Sequence, residues 1–439
     1  MAKRIRLARL RKASGYTQES LAEALGVDRT TVSTWEAGSH EPSPHLRPGL
    51  GSLLAVSRRE LTDIPDEANG VVRSSGGSAE IRRSQQEWLR TRRAEGARGR
   101  ELSELAAWLY PESARGPGGH VLRGPGWLLD EPVELDGVRL GWAETPPPPG
   151  PVVEHVLPLT DRGTPYGDYS RAVRDLVRPR LMENRPSYRL TGIDTSAGLA
   201  LDFGLTTFFA AFDAKQAVAH EFKAAWTRGG RALPSWGELP IRSGIGDPFD
   251  PARWLMSPGI STLTVRRDSR GAHQFVLHER DGAKVADGGG LAHVMPAGEF
   301  QPVSDPEVDF SLWRNIMREF SEEFLGNPEH DGSASGPVDY AAASPFRELT
   351  ELRDRGDLTV WHYGLIMEPL ELGASQLTVA VVDGDEFDSV FGHGEIVNDE
   401  GTAVRHAFTG DTISRLEPRL SGSALTLLRL AWRDRKTLL

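Results

Sequence analysis

Apolar residues recur at helical spacing through the first forty positions and shift toward strand-like alternation beyond residue 185. Leu7 and Leu10 give a first helix its apolar edge, and Gly15 supplies a residue able to end it in the left-handed conformation. Thr17 is placed to cap a second helix whose inner face is Leu21, Ala22 and Leu25. Gly26 then allows a tight turn, Asp28 caps a third helix, and Val32 and Trp35 point inward three residues apart. The segments 42–57 and 57–61 read as short closing helices. Residues 65–79, rich in Ser and Gly and poor in large apolar groups, read as a linker. Residues 80–110 return to a helical pattern with Trp88, Leu89, Leu102, Leu105, Trp108 and Leu109 as core positions, and their arginines read as a solvated face. Prolines break up 111–153, where 127–129 and 133–142 suggest short strands and Pro146 to Pro149 a stiff spacer.

Farther on, the patterns at 188–193, 261–266, 273–278, 292–295 and 377–382 predict strands. Those at 213–226, 309–325 and 423–430 predict helices, so this part is expected to be α+β with a mixed sheet. The expected organisation is multidomain: an all-α head over 1–65, a linker, helical segment and spacer over 66–153, and an α+β domain over 154–439.

Charge sharpens that division. The whole chain of 439 residues carries a net charge of −11, yet residues 1–60 hold ten Lys/Arg against six Asp/Glu. A basic head on an acidic body fits a small nucleic-acid reader joined to a larger part that does not touch nucleic acid. No apolar run is long enough for a membrane span, and the basic start lacks the apolar core of a signal peptide. The absence of cysteine excludes disulfides and thiolate chemistry and suits a cytoplasmic location.

The head has the residue order Leu7 to Arg11, Gly15, Thr17-Gln18, Leu21-Ala22, Leu25-Gly26-Val27, then Val32-Ser33-Thr34-Trp35-Glu36 and Gly38. In this it resembles the Cro/repressor (XRE) helix-turn-helix regulators, whose fold is λ-repressor-like. The resemblance implies that Gln18 contacts a DNA phosphate and that the third helix reads bases through Arg29, Thr30 and Thr34, with Thr31 and Ser33 as further contacts. Small side chains there keep the helix slim enough for the major groove. The resemblance also implies a structural ion pair between Arg11 and Glu36, and a homodimer on a palindromic operator of double-stranded DNA.

The segment from Asp309 carries the second constellation. Leu312, Trp313, Ile316, Met317, Phe320 and Phe324 form one face, while Glu319, Glu322 and Glu323 cluster on another at i, i+3 and i+4. Clustered carboxylates repel one another and suit a divalent cation. Arg318-Glu319-Phe320-Ser321-Glu322-Glu323, preceded by the run ending in Gly298, resembles the helix of the Nudix box. That family holds Mg²⁺ on these glutamates to hydrolyse nucleoside diphosphates linked to another group. The usual Gly and Glu positions are occupied here by Ser304 and Phe310, so Gly298 and Glu307 fit only with an insertion of about six residues. Three readings follow. A nucleotide-like effector domain without turnover is preferred, since a sensor coupled to a DNA reader needs differential binding rather than turnover. An active hydrolase would use Glu319 and Glu323 in catalysis and Glu319, Glu322 and Glu323 for the metal. An ordinary solvated acidic face is the third. No P-loop, nucleophile elbow or zinc helix is present; His220-Glu221 and His293 are isolated, and Gly288 to Gly290 reads as a hairpin turn.

Overall fold

The computed structural model describes residues 5–25, 27, 29–36, 50, 53–54, 75–179, 182–280, 291–328, 338–392, 396–397 and 401–439. The expected turn at Gly26, the Asp28 cap, most of the closing helices and the linker, and the Gly288 to Gly290 turn lie outside the described residues. The chain divides into two compact units, one of residues 1–86 with 157–184, the other of 87–156 with 185–439.

In the first unit the expected three helices form as α1 (Ile5–Ala13), α2 (Gln18–Ala24) and α3 (Arg29–Glu36). Their inner faces close into one cluster of Leu7, Leu21, Ala22, Val32 and Trp35, joined by Leu50 and Leu54. Gly15 ends α1 with φ +84°, a conformation that an L side chain enters only at a steric cost. Residues 157–184 belong to this unit, which sequence proximity does not suggest. Leu159 fastens them: its N–H donates to Ser84 Oγ (3.0 Å) and its carbonyl accepts from Gln85 Nε2 (2.9 Å). The segment carries helix Tyr169–Leu176, which buries Tyr169, Ala172 and Val173.

The second unit is built on a nine-stranded mixed sheet among the described residues. Its strands are β1 (Leu128–Glu134), β5 (Gly259–Arg267), β6 (Gln274–Arg280), β7 (Ala292–Val294), β8 (Ala297–Gly298), β9 (Leu358–Met367), β10 (Ala374–Asp383), β11 (Ile396–Val397) and β12 (Gly401–Ala407). The order is β1-β9-β10-β5-β6-β12-β11, with β7 on β6 and β8 on β5; β10 and β5 run parallel and the other pairs antiparallel. A smaller sheet, β2 (Arg139–Trp142), β4 (Ala200–Thr207) and β3 (Pro186–Asp194), completes the unit.

Successive side chains of a strand face opposite ways, and this strand chemistry builds two cores. On β10, Ala380 and Val382 enter a cluster with helices Phe208–Arg228, Leu312–Glu319 and Phe346–Asp354. Val379 and Val381 enter the opposite one, covered by helix Gly422–Arg433. A strand buried on both faces reads as a continuous apolar run, which is how Leu377 to Val382 appears in the sequence.

The structure corrects three expectations. Residues 87–156 are part of the body rather than a separate helical segment and spacer: the short strands expected at 127–129 and 133–142 form as β1 and β2, which pair with β9 and β4, and Val121, Leu122 and Trp127 are buried. A strand pattern read along the chain does not say which sheet the strand joins. Residues 157–184 leave the α+β part for the first unit. Finally, the helix expected from Asp309 starts at Leu312, because Asp309 spends its carboxylate on backbone N–H groups of 303–305 and Ser311 supplies the cap.

A neutral histidine is locked into the middle of the large sheet. The His362 side chain is fully buried; Nδ1 accepts from Gly364 N–H (2.9 Å) and Nε2 donates to Gln376 Oε1 (3.3 Å), whose amide in turn donates to Pro258 O (3.3 Å). Gly364 sits in the β9 bulge at φ +94°, where a Cβ would fall 1.9 Å from the Trp127 carbonyl oxygen. Burial lowers His362 to about 4, and lowers His220, stacked on Trp88, to about 3. Both folded values lie below the unfolded 6.5, so the unfolded chain takes up protons first as pH falls. Their stabilisation is therefore complete above about pH 6.5 and is lost progressively toward pH 4. Urea unfolding of the body measured from pH 7.5 to 4.5 is expected to show this decline, with His362→Gln flattening it by up to one proton, on the order of 3 kcal/mol. An unchanged slope in that variant would remove His362 from the account.

Candidate nucleic-acid interface and acidic cleft

The head places its expected ion pair where two helices and a turn meet. Arg11 is 6% exposed; Nε donates to Glu36 Oε1 at 2.7 Å and Nη1 to the Tyr16 carbonyl at 2.7 Å. Glu36 Oε2 accepts from Gln18 Nε2 at 2.6 Å. The amide at the start of α2 is thus oriented by a pair running from α1 to α3. Charge-assisted bonds of this kind fix direction as well as adding energy. Arg29 and Ser33 are exposed on α3, and Thr31 and Thr34 are partly so. Arg29 Nη1 lies 2.8 Å from Glu19 on α2, and Thr34 Oγ1 donates to the Thr31 carbonyl. Thr30 belongs to α3, its side chain being outside those described. Gln18, Arg29, Thr31, Ser33 and Thr34 all belong to the two helices of this helix-turn-helix pair.

In the body, the acidic run divides between helix Leu312–Glu319 and a π-helical turn, Phe320–Phe324. Such a turn widens the helix by one residue and often accompanies a functional surface. It buries Phe320, Ser321 and Phe324 while Glu319, Glu322 and Glu323 keep some exposure. Two of the clustered glutamates contact β8. Gly298 packs on Glu319 so closely that a Cβ there would fall 2.1 Å from its carboxyl, and Ala297 N–H donates to Glu323 Oε2 at 3.2 Å. Burial raises the Glu319 carboxyl well above its usual range, with the charges of Glu322 and Glu323 adding to it and Arg318 opposing.

Arg318 itself is a structural anchor. Its guanidinium donates to Tyr340 Oη (2.6 Å), Asn315 Oδ1 (2.8 Å) and the Gln301 carbonyl (2.7 Å), and pairs with Asp309 at 3.5 Å. Asp309 also accepts from Tyr340 Oη (2.8 Å) and from the N–H groups of Val303, Ser304 and Asp305. Burial alone would push the Asp309 carboxyl up, but those donors and Arg318 together hold it below its usual value. The loop of residues 303–305 ahead of the helix is thus folded onto Asp309.

Gly298, on which Glu319 packs, also lines a cleft of about 800 Å³ whose wall includes Glu299, Lys215, Glu368 and Glu371 but no residue of the acidic helix. Lys215 Nζ lies 3.7 Å from Glu299. Burial opposes its charge, but Glu299, Glu371 and Glu368 outweigh that and hold the ammonium protonated. These four residues come from a helix, a loop and the β9–β10 turn, at separations of up to 156 positions, so sequence spacing gave no signal for them. Among the described residues no three His, Asp or Glu side chains are grouped to hold one metal ion. Glu323 Oε2 is engaged by the Ala297 N–H, and Glu319 is pressed on Gly298.

Removing one partner of a buried charge pair leaves the other uncompensated. Asp309→Ala is expected to destabilise the body by about 3–5 kcal/mol in urea denaturation. Glu307→Ala, on the exposed side of the same loop, is expected to stay within about 0.5 kcal/mol of the parent. Equal effects from the two variants would refute the anchoring role of Asp309.

Among the described residues no helix is long and apolar enough to cross a membrane. A comparison with curated proteins returned no relative of the chain. Residues 7–46 match the family model for helix-turn-helix domains, a stretch that covers most of α1, all of α2 and α3, and the Arg11–Glu36–Gln18 cluster. The N-terminal head is a helix-turn-helix domain.

Proposed function

We propose that the chain is a sequence-specific DNA-binding transcription regulator whose acidic α+β body adjusts that binding. The helix-turn-helix match over α1 to α3, with Gln18 oriented by Glu36, carries this reading. Gln18 takes a backbone phosphate, which sets register. Arg29, Thr30 and Thr34 read base edges, with Thr31 and Ser33 beside them. Two copies bind a palindromic operator with half-sites about ten base pairs apart. The basic head and acidic body support the division of labour, since a negative body is repelled by the duplex and leaves contact to the head.

The body's part in this reading is that of a Nudix-like domain that binds a nucleotide-like effector without hydrolysing it. What supports it is the packing of Gly298 on Glu319 and the cleft that Gly298 also lines. An effector shifts DNA affinity only by as much as it binds the two states differently.

Selection of bound duplexes from a random-sequence pool is expected to return a two-fold symmetric motif. Gln18→Ala should weaken every sequence alike, whereas Arg29→Ala and Thr34→Ala should relax preference at particular base pairs, each by about 1–3 kcal/mol. An unsymmetric motif would rule out the dimer. Incubation with Mg²⁺ and a panel of dinucleotides and nucleotide sugars tests the body. Binding without turnover is expected; turnover abolished by Glu323→Gln would replace the sensing reading with that of a hydrolase.

A further inference from the structure

The first unit contains a groove of about 770 Å³ that the helix-turn-helix alone does not form. One wall is the start of α2 with the residues around it, including Lys12, Gln18 and Arg29. The other comes from residues 174–183, more than 130 positions away, and includes Arg174 and Arg178. Five of its lining residues are basic and two, Glu19 and Glu183, are acidic. We propose that this groove seats the DNA phosphate backbone, so that Arg174 and Arg178 extend the contact surface begun by Gln18. The inference rests on the head's binding of DNA and adds to it a second segment of chain.

The local structure is suited to that task. Helix Tyr169–Leu176 is held by its buried Tyr169, Ala172 and Val173, which fixes the origin of both arginines. Arg178 follows the helix at φ +58°, its N–H donating to the Val173 carbonyl (3.1 Å) and its Nε to the Asp175 carbonyl (3.2 Å). A side-chain residue kept in the left-handed region is a cost that the surrounding structure sustains, and it turns the chain so that Arg178, Pro179, Met182 and Glu183 all border the groove. Arg178 is exposed and Arg174 partly so. The groove adjoins Gln18, the residue assigned to a phosphate, and phosphates recur along a strand so that one contact brings the next within reach. A backbone contact needs positive charge and no base recognition, and arginine supplies it with donors matched to phosphate.

The test uses the full chain and a mixed-sequence 30-base-pair duplex, with binding followed by fluorescence anisotropy at several salt concentrations. Each phosphate neutralised contributes about 0.9 to the slope of log K against log salt. The double variant Arg174→Gln, Arg178→Gln is expected to lower that slope by about 1.8 and to weaken binding alike on all sequences. Arg82→Gln with Arg83→Gln removes the same charge from the same unit away from the groove, and is expected to leave the slope unchanged. An unchanged slope in the first double variant, an equal loss in the second, or tighter binding by the first, as when the segment merely shields the head, overturns the inference. If Gln18→Ala still weakens binding in those cases, DNA binding by the head stands and only the added segment falls. A parent chain that binds no duplex overturns both.

Discussion

The body's acidic face depends on one buried charge pair, that of Asp309 with Arg318. A carboxylate and a guanidinium taken out of water are costly unless each has its remaining donors and acceptors met. Here they are met from several directions: three consecutive backbone N–H groups, a tyrosine hydroxyl, an asparagine side chain and a carbonyl. The pair thereby ties the loop after β8, the start of the acidic helix and the Tyr340 segment to one point. With Arg318 turned inward, the residues that follow it, Glu319, Glu322 and Glu323, are left on the outer side of the helix next to β8. The same network closes the loop of residues 303–305 around Asp309.

The head uses the same chemistry at smaller scale. Arg11 and Glu36 are nearly shielded from water, and each also serves a third group: Arg11 the Tyr16 carbonyl, Glu36 the Gln18 amide. The Gln18 amide is in this way positioned by the Arg11–Glu36 pair. Positioning by buried ion pairs recurs because it combines direction with rigidity, whereas an exposed pair such as Arg29 with Glu19 is screened and easily exchanged for a phosphate.

Some of this was legible in the residue order and some was not. The three helices of the head were, because Leu7, Leu21, Val32 and Trp35 keep helical spacing within forty residues and local glycine punctuates them. The Arg11–Glu36 pair was read through family resemblance, and the geometry places it there. Strands β4, β9 and β12 were missed. Ala200–Thr207 does alternate Leu201, Phe203 and Leu205 with Asp202 and Gly204 and was overlooked, Gly401–Ala407 mixes small and polar residues, and Leu358–Met367 contains His362 and Gly364, residues that local propensity disfavours and a bulge requires.

What the sequence determined by itself is local: helix periodicity, the turn glycines, and the split of charge between head and body. These follow from forces acting over a few residues, so they survive without knowledge of the fold. Only tertiary structure decided which distant segments share a surface. It brought residues 157–184 to the unit of the head, drew 87–156 into the body, and gathered Lys215, Glu299, Glu368 and Glu371 around one cleft. Those placements are settled by burial of apolar faces and by the need to pair every buried charge, constraints that belong to the packed chain and leave no periodic trace along it.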